Sequence, residues 1–317
     1  MTTAFSPEVY LITNCPLCQS THLRPGHSER NIFPKNAHDE VKAFSFSWIQ
    51  LLKCDDCGFV FTKEIPSSKS FFANRYDNYH FNPSYESNSV RKNEILSDIF
   101  NRLQGFGKSG GNFLDVGSFA GQLLKFAQSR GFTPMGVELN PKLANYSKDV
   151  LGFQVFQGEF QTVELPQNHF EVITIIDVLE HLVDPYKVLK NLYGALNVGG
   201  ILVVKVPNYP MQRPKQWIAN KINISDVGIF AGFAHINHFS EKSLSRALKS
   251  LGFEILEVEI APSEEWTVTG NTFFRNQLNR LKNFIRSTVF VLSAALYKIL
   301  GINLGLNLNF YAKKIAR

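Results

Sequence analysis

Residues 113–138 constrain this chain more than any other stretch. A short apolar run ends in Asp115, and a turn bearing Gly117 and Gly121 follows at once. An amphipathic segment then leads to a second strand-like run that ends in Glu138. Strand, tight turn, helix, strand and acid make half of a βαβ unit of the kind that holds a nucleotide-bearing ligand. The glycines let the backbone approach such a ligand, and the N–H groups of the new helix are expected to point toward it. Glu138 falls about 20 residues beyond the turn, the spacing at which an acid reaches ribose hydroxyls.

The spelling of the turn narrows the ligand. Gly117 is followed by Ser118, Phe119, Ala120 and Gly121, which is neither G-x-G-x-x-G nor the P-loop pattern. It reads D-x-G-x-x-x-G, with Asp115 two residues before the first glycine. A carboxylate there repels a pyrophosphate and suits an amino acid ammonium or a sulfonium. The pattern resembles the first motif of class I S-adenosylmethionine (SAM) methyltransferases, with Phe119 where the middle glycine usually stands.

Downstream the alternation continues. Apolar runs at 153–156, 170–176, 201–206, 253–260 and 306–312 read as strands. Between them, Asn140-Pro141 caps a helix that Gly152 ends, and Asp184-Pro185 opens one ended by Gly199-Gly200. Ser240 caps a third that stops at Gly252. A further helix is expected over 86–103, and 207–234 reads as a long irregular segment. Strands alternating with helices predict an α/β, doubly wound sheet.

All four cysteines fall in two C-x-x-C pairs, Cys15/Cys18 and Cys54/Cys57. Two such knuckles supply four thiolates to one tetrahedral structural zinc, and Gly58 suits the turn of a knuckle. A redox or disulfide pair is the competing reading. The 35 residues between the pairs exceed the spacing of common zinc ribbons and predict an inserted loop.

In open α/β sheets, ligands bind beyond the carboxyl ends of the strands. Asp115, Glu138, Glu159 and Asp177 all fall at or just past such ends, lining one crevice with carboxylates. With FEVITIIDVLEHLVDPYKVLKNLYGALNVGGILVVKVPN and HINHFSEKSLSRALKSLGFEI, the chain resembles bacterial SAM methyltransferases that carry an N-terminal zinc-binding segment. The resemblance covers essentially Cys15 to Phe253. It implies a Rossmann-like, seven-stranded, mostly parallel sheet beside a small zinc ribbon, with 306–312 as an antiparallel seventh strand. It divides the chain into a ribbon (1–75), a helical connector or lid (76–110) and a methyltransferase domain (111–317) with a basic helical insertion at about 271–303.

The same resemblance implies that Asp115, Gly117, Ser118 and Gly121 surround the methionine moiety of SAM. Glu138, with Leu139, takes the ribose. Glu159 and Phe160 stand at the adenine, where the family commonly has Asp, and Asp177 and Val178 border the methyl donor. His181 is the leading catalytic base, with His235 and His238 as helpers; the alternative is a histidine fixed against the helix that follows. D-x-x-E-H is also similar to the E-x-x-E-H metal sets of ubiquinone-pathway and small-RNA methyltransferases. Asp177, Glu180, His181 and one of His235 or His238 would then hold Mg²⁺. Tyr76, Tyr79 and Tyr85 are expected to join 207–234 at an acceptor pocket.

Charge bears on partners. Residues 271–317 hold eight Lys or Arg and no Asp or Glu, so the remainder carries −2 although the whole chain carries +6. Apolar residues recur at 278, 281, 285, 289, 292, 296 and 299, one helical face flanked by Arg275, Arg280, Lys282 and Arg286. Such a helix packs its face on the body or lies on an anionic membrane surface. No charged and then apolar leader pattern opens the chain, so the cytoplasm is expected, with peripheral contact at the inner membrane as the variant. The expected reaction is methyl transfer to a small or carbohydrate-like acceptor. An RNA methyltransferase and a non-catalytic binding module are the alternatives; the slightly acidic body argues against nucleic acid.

Overall fold

The computed structural model describes residues 9–30, 48–66, 90–221, 235–262 and 273–316; Tyr76, Tyr79 and Tyr85 lie outside them. The chain begins with β1 (Val9–Leu11), β2 (Leu23–Arg30), β3 (Trp48–Cys54), β4 (Val60–Thr62) and β5 (Glu64–Pro66). β2 and β3 pair antiparallel, so part of the long spacing between cysteine pairs is strand. Next come α1 (Val90–Gly105), β6 (Gly111–Val116), α2 (Gln122–Ser129) and β7 (Phe132–Glu138). They are followed by α3 (Pro141–Asn145), which runs on into one π turn, β8 (Gln154–Gln157) and β9 (Phe170–Ile176). The rest is α4 (Pro185–Ala195), β10 (Leu196–Pro207), α5 (Tyr209–Lys221), β11 (Asn237–His238), α6 (Glu241–Leu251), β12 (Phe253–Ala261), α7 (Phe273–Leu300) and β13 (Asn307–Lys314).

Seven strands form one sheet in the order β12-β13-β10-β9-β6-β7-β8, with β13 antiparallel to both neighbours. The local devices are those the sequence names. The Asn140 side chain accepts from the N–H groups of Lys142 and Leu143, with Pro141 at the first helical position. Ser240 and Ser243 form a reciprocal capping box, and Gly252 ends α6 at φ 100°.

Two expectations are corrected. α4 stops at Ala195, not at Gly199-Gly200: the chain turns extended at Leu196, and the glycines lie where the β9–β10 register shifts between Leu196 and Ile201. Within 207–234, residues 209–221 are helical although Pro214 removes one helical hydrogen bond. Tertiary bonds support that helix: Asn208 Nδ2 donates to Gly305 O and Gln212 Nε2 to Leu306 O.

The ribbon strands are built into the α/β body. β11 adds to β4 at the edge of a second sheet ordered β11-β4-β3-β2. One apolar core runs from Cys15, Phe59 and Phe61 through Phe239 to Leu189, Val204 and Leu308. A second core, with Ile99, Phe100, Phe113, Leu123 and Tyr311, covers the opposite sheet face.

Candidate active site and zinc centre

The turn after β6 is held in left-handed backbone: Gly117 at φ 83°, Phe119 at 48° and Gly121 at 77°. A Cβ at Gly117 would meet Val178 Cγ2 at 2.4 Å, so only glycine fits the notch. Phe119 keeps the backbone of the missing glycine at some steric cost. The N–H groups of Gly117 and Ser118 both donate to Val137 O, and Phe119 N–H to Glu138 Oε2. The turn's first donors are thus spent on β7 and its terminal acid. Such a turn offers little to a phosphate, in keeping with a ligand that carries none.

Glu138 is the keystone of this corner. Its Oε1 accepts from Asn140 N–H and its Oε2 from Phe119 N–H, both at 2.8 Å. Burial pushes the carboxyl up, opposed by those same backbone donors. Its carbonyl accepts from Gly158 N–H, which ties the end of β8, and with it Glu159 and Phe160, to the end of β7. Asp115 is buried and accepts from Thr174 Oγ1 of β9 at 2.6 Å. Ser118 is buried with its hydroxyl near Gly136, behind the turn. Gly117, Val178 and Phe160 converge, since the position of a Gly117 Cβ lies 3.9 Å from Phe160 Cζ. Gly117, Val178 and Phe160, with Glu138 tying β7 to β8, thus form one glycine-lined corner, and its carboxylates suit the hydroxyls and ammonium of an adenosine with an amino acid arm.

Asp177 sits at φ 53° and pairs with Lys205 Nζ at 2.5 Å. Lys205, on β10, is only 3% exposed. Sequence reading missed it, yet a lone lysine in an apolar strand is itself a signal, because a buried charge needs a partner. The next turn, Leu179–His181, carries Glu180 inward and His181 to partial exposure. Asn237 Nδ2 donates to the carbonyls of Leu179 and Leu182, and Ile236 N–H to Glu180 O. These bonds bring the His181 and His235 rings to 4.9 Å, edge to face, with His235 Nε2 at 3.9 Å from Glu180 Oε1. Burial, and then the Asp177 charge, push the Glu180 carboxyl well up. His238 is elsewhere: it is buried in β11 against Tyr209, and burial lowers its pKa to about 3.

Glu180, His181 and His235 offer one ligand atom each within 4.8 Å of one another. Asp177 and His238 are not part of that group among the described residues. Two imidazoles and one carboxylate do not suit Mg²⁺, which takes oxygen ligands. The expectation of magnesium is therefore set aside.

The cysteines, by contrast, match a zinc site. Cys15 and Cys57 Sγ lie 3.6 Å apart, as do Cys18 and Cys54, and none is in a disulfide. With Zn–S bonds near 2.3 Å, a tetrahedron has sulfur–sulfur edges of about 3.8 Å. The two knuckles have the same form: Gln19 N–H donates to Cys15 O and Gly58 N–H to Cys54 O, with φ of 64° and 76°. Hydrogen bonding from Cys15 lowers the Cys57 thiol to about 5, while Cys15 is pushed up. A divalent cation would stabilise all four as thiolates.

A Rossmann-like sheet with this corner at its carboxyl edge defines a class I SAM-dependent methyltransferase. A family profile described as a methyltransferase domain matches residues 89–258, more than half of the chain, and the chain belongs to that family. A protein of Alkaliphilus oremlandii described as an uncharacterized methyltransferase is 26% identical over 156 residues, covering 48% of this chain and 71% of its own. A ubiquinone biosynthesis O-methyltransferase of Pseudomonas putida is 28% identical over 145 residues, 44% of this chain and 58% of its own length. Among solved structures, a SAM-dependent methyltransferase of Archaeoglobus fulgidus superposes with a TM-score of 0.46 at 18% identity, covering 70% of this chain and 94% of that one. Phosphoethanolamine N-methyltransferase 2 of Haemonchus contortus, in complex with SAM, gives 0.49 at 16%, covering 81% and 63%.

Proposed function

We propose that the enzyme methylates a hydroxyl of a small or carbohydrate-like acceptor, with His181 as the proton acceptor and His235 beside it. The observation that carries the proposal is the pairing of the two imidazoles just beyond the Asp177–Val178 corner. When bound, SAM supplies an electrophilic methyl group on a sulfonium. Asp115 and the Gly117–Gly121 turn would hold its amino acid arm, Glu138 the ribose, and Glu159 with Phe160 the base. An acceptor hydroxyl held in line with that methyl would take it as S-adenosylhomocysteine leaves, and much of the rate would come from that positioning. His181 takes the hydroxyl proton as the oxygen attacks. Lys205 holds Asp177, and Asn237 holds the turn that presents His181. His238, buried and disposed to stay neutral, is assigned to the ribbon sheet rather than to proton transfer. The ribbon is taken as a zinc-bound structural module, and 90–105 as the connector helix.

The test is a labelled methyl-transfer screen across nucleotide sugars, lipid-linked sugars and quinone precursors. On the acceptor that turns over, His181→Ala should lower kcat by about 10²–10⁴-fold with SAM affinity kept. Unchanged turnover in that variant defeats the assignment.

RNA as acceptor is the second reading; a cleft beside Cys54 and Cys57 is lined by Arg24, Lys53, Lys242 and Arg246 but also by Asp55 and Asp56, with Arg24 paired to Asp55, so the excess of positive charge there is small. Steeply salt-dependent RNA binding, weakened by Lys242→Glu, would support it.

A further inference from the structure

The apolar row of α7 is unpartnered where its side chains are described. Val289, Leu292, Leu296 and Ile299 follow one another at helical spacing and are 50%, 59%, 37% and 77% exposed. The row extends the spacing of Leu278, Leu281 and Ile285 from earlier in the same helix. About a quarter turn round the helix, Ser293 is buried and Tyr297 donates to Glu241 Oε1, whose partner oxygen takes Asn303 Nδ2. The helix is therefore anchored to the start of α6 by another side, leaving its aliphatic face outward. A contiguous row of this kind marks an interaction surface.

Charge selects the occupant. α7 contains Arg275, Arg280, Lys282, Arg286 and Lys298 and no acid. RNA would use the bases but not four aliphatic side chains. The same face of a second copy would bring equal positive charge against it. An aliphatic row on an all-basic helix fits an anionic lipid surface, and no helix among the described residues is long and apolar enough to cross a bilayer.

The anchoring also gives the surface a direction. Ile302 and Leu304, in the linker that follows α7, are exposed as well. The same linker receives Asn208 and Gln212 through Gly305 and Leu306, and Asn208 directly follows β10 at the carboxyl edge where Asp177 follows β9. We infer that α7 docks the enzyme on an anionic bilayer and so turns the crevice edge toward an acceptor whose polar head stands at the lipid surface. The docking stands on α7 alone; the acceptor's location rests on the methyl-transfer reading above.

The experiment is flotation of the full chain with phosphatidylcholine vesicles, with and without phosphatidylglycerol, at low and high salt and without cofactor. The protein should float only with the anionic vesicles and be released by salt. The double variant Leu292→Glu/Ile299→Glu, which alters exposed positions, should bind at least about tenfold more weakly. Its circular dichroism and its SAM affinity by calorimetry should match the parent. Failure to float with anionic vesicles at low salt overturns the inference, as does equal flotation of the double variant. So does self-association that the variant abolishes in a protein that ignores vesicles, or RNA binding that the variant retains in such a protein. Because flotation needs no turnover, its failure leaves methyl transfer standing; flotation without any methyl transfer leaves the docking.

Discussion

Lys205 Nζ and Asp177 Oδ2 meet at 2.5 Å, joining the carboxyl end of β10 to the first residue past β9. The lysine is buried and the aspartate partly exposed, so the pair is unequal. Asp177→Asn strands a buried cation and should cost about 2 kcal/mol, less than for a fully buried pair because Asp177 is partly in water. Lys205→Met, which removes the buried charge itself, should cost less. Urea unfolding of the two variants checks the order; a costlier Lys205→Met would contradict it.

Glu138 serves two backbone N–H groups at once. A glutamine there has one acceptor oxygen, so Glu138→Gln should leave one donor unpaired and cost about 1–2 kcal/mol. SAM affinity, read by calorimetry, should fall at least about tenfold, because the same carboxylate is assigned to the ribose. Full affinity with lowered stability would confine Glu138 to holding the turn.

Phe119 occupies left-handed backbone that glycine adopts freely. In Phe119→Gly the steric relief and the added chain freedom are each about 1 kcal/mol, so stability should change little. Phe119→Val, β-branched at the same φ, should lose about 1–2 kcal/mol. Thermal melts of both variants decide it; equal losses would mean that side-chain packing, not backbone strain, governs this position.

The zinc centre should report on the whole enzyme, since Cys15, Phe59 and Phe61 share a core with Val204 and Leu308. One zinc per chain is expected by elemental analysis. Chelation or Cys54→Ser should lower the melting temperature of the entire protein in a single transition, at a cost of several kcal/mol. A ribbon that melts separately from an unaffected sheet would contradict the shared core.

His238 gives a pH dependence whose sign can be worked out. Burial lowers its pKa to about 3, whereas the unfolded chain protonates near 6.5. The unfolded state therefore binds the extra proton first, and stability falls as pH drops from 6.5 toward 3. Between pH 7 and pH 5 the loss from this group is about 2 kcal/mol. Proton competition at the cysteines adds a slope of its own, so the reading is the difference between parent and His238→Leu in urea unfolding. Identical slopes would refute the assignment.

Much of this fold is written locally. The Asn140 and Ser240 caps, the glycine stops, the buried run of β9 and the paired knuckles follow from spacings of two to four residues that side-chain geometry fixes wherever the chain lies. The helical register of α7 was equally legible. Local signals misled where tertiary bonds override them: Asn208 and Gln212 support a proline-bearing helix in a segment that reads as loop, and the bulge before Ile201 absorbs glycines that read as a helix end.

The sequence by itself determined the sheet, the left-handed glycine turn after β6 and the gathering of the cysteines into two knuckles, because each rests on a short motif with its own backbone requirements. Only the tertiary structure decided that Lys205 holds Asp177, that Asn237 draws His235 against His181, that β11 joins the ribbon sheet and takes His238 with it, and that the α7 row faces outward. Those pairings join residues far apart in the chain, and strand order and helix docking, not spacing, set which of them meet.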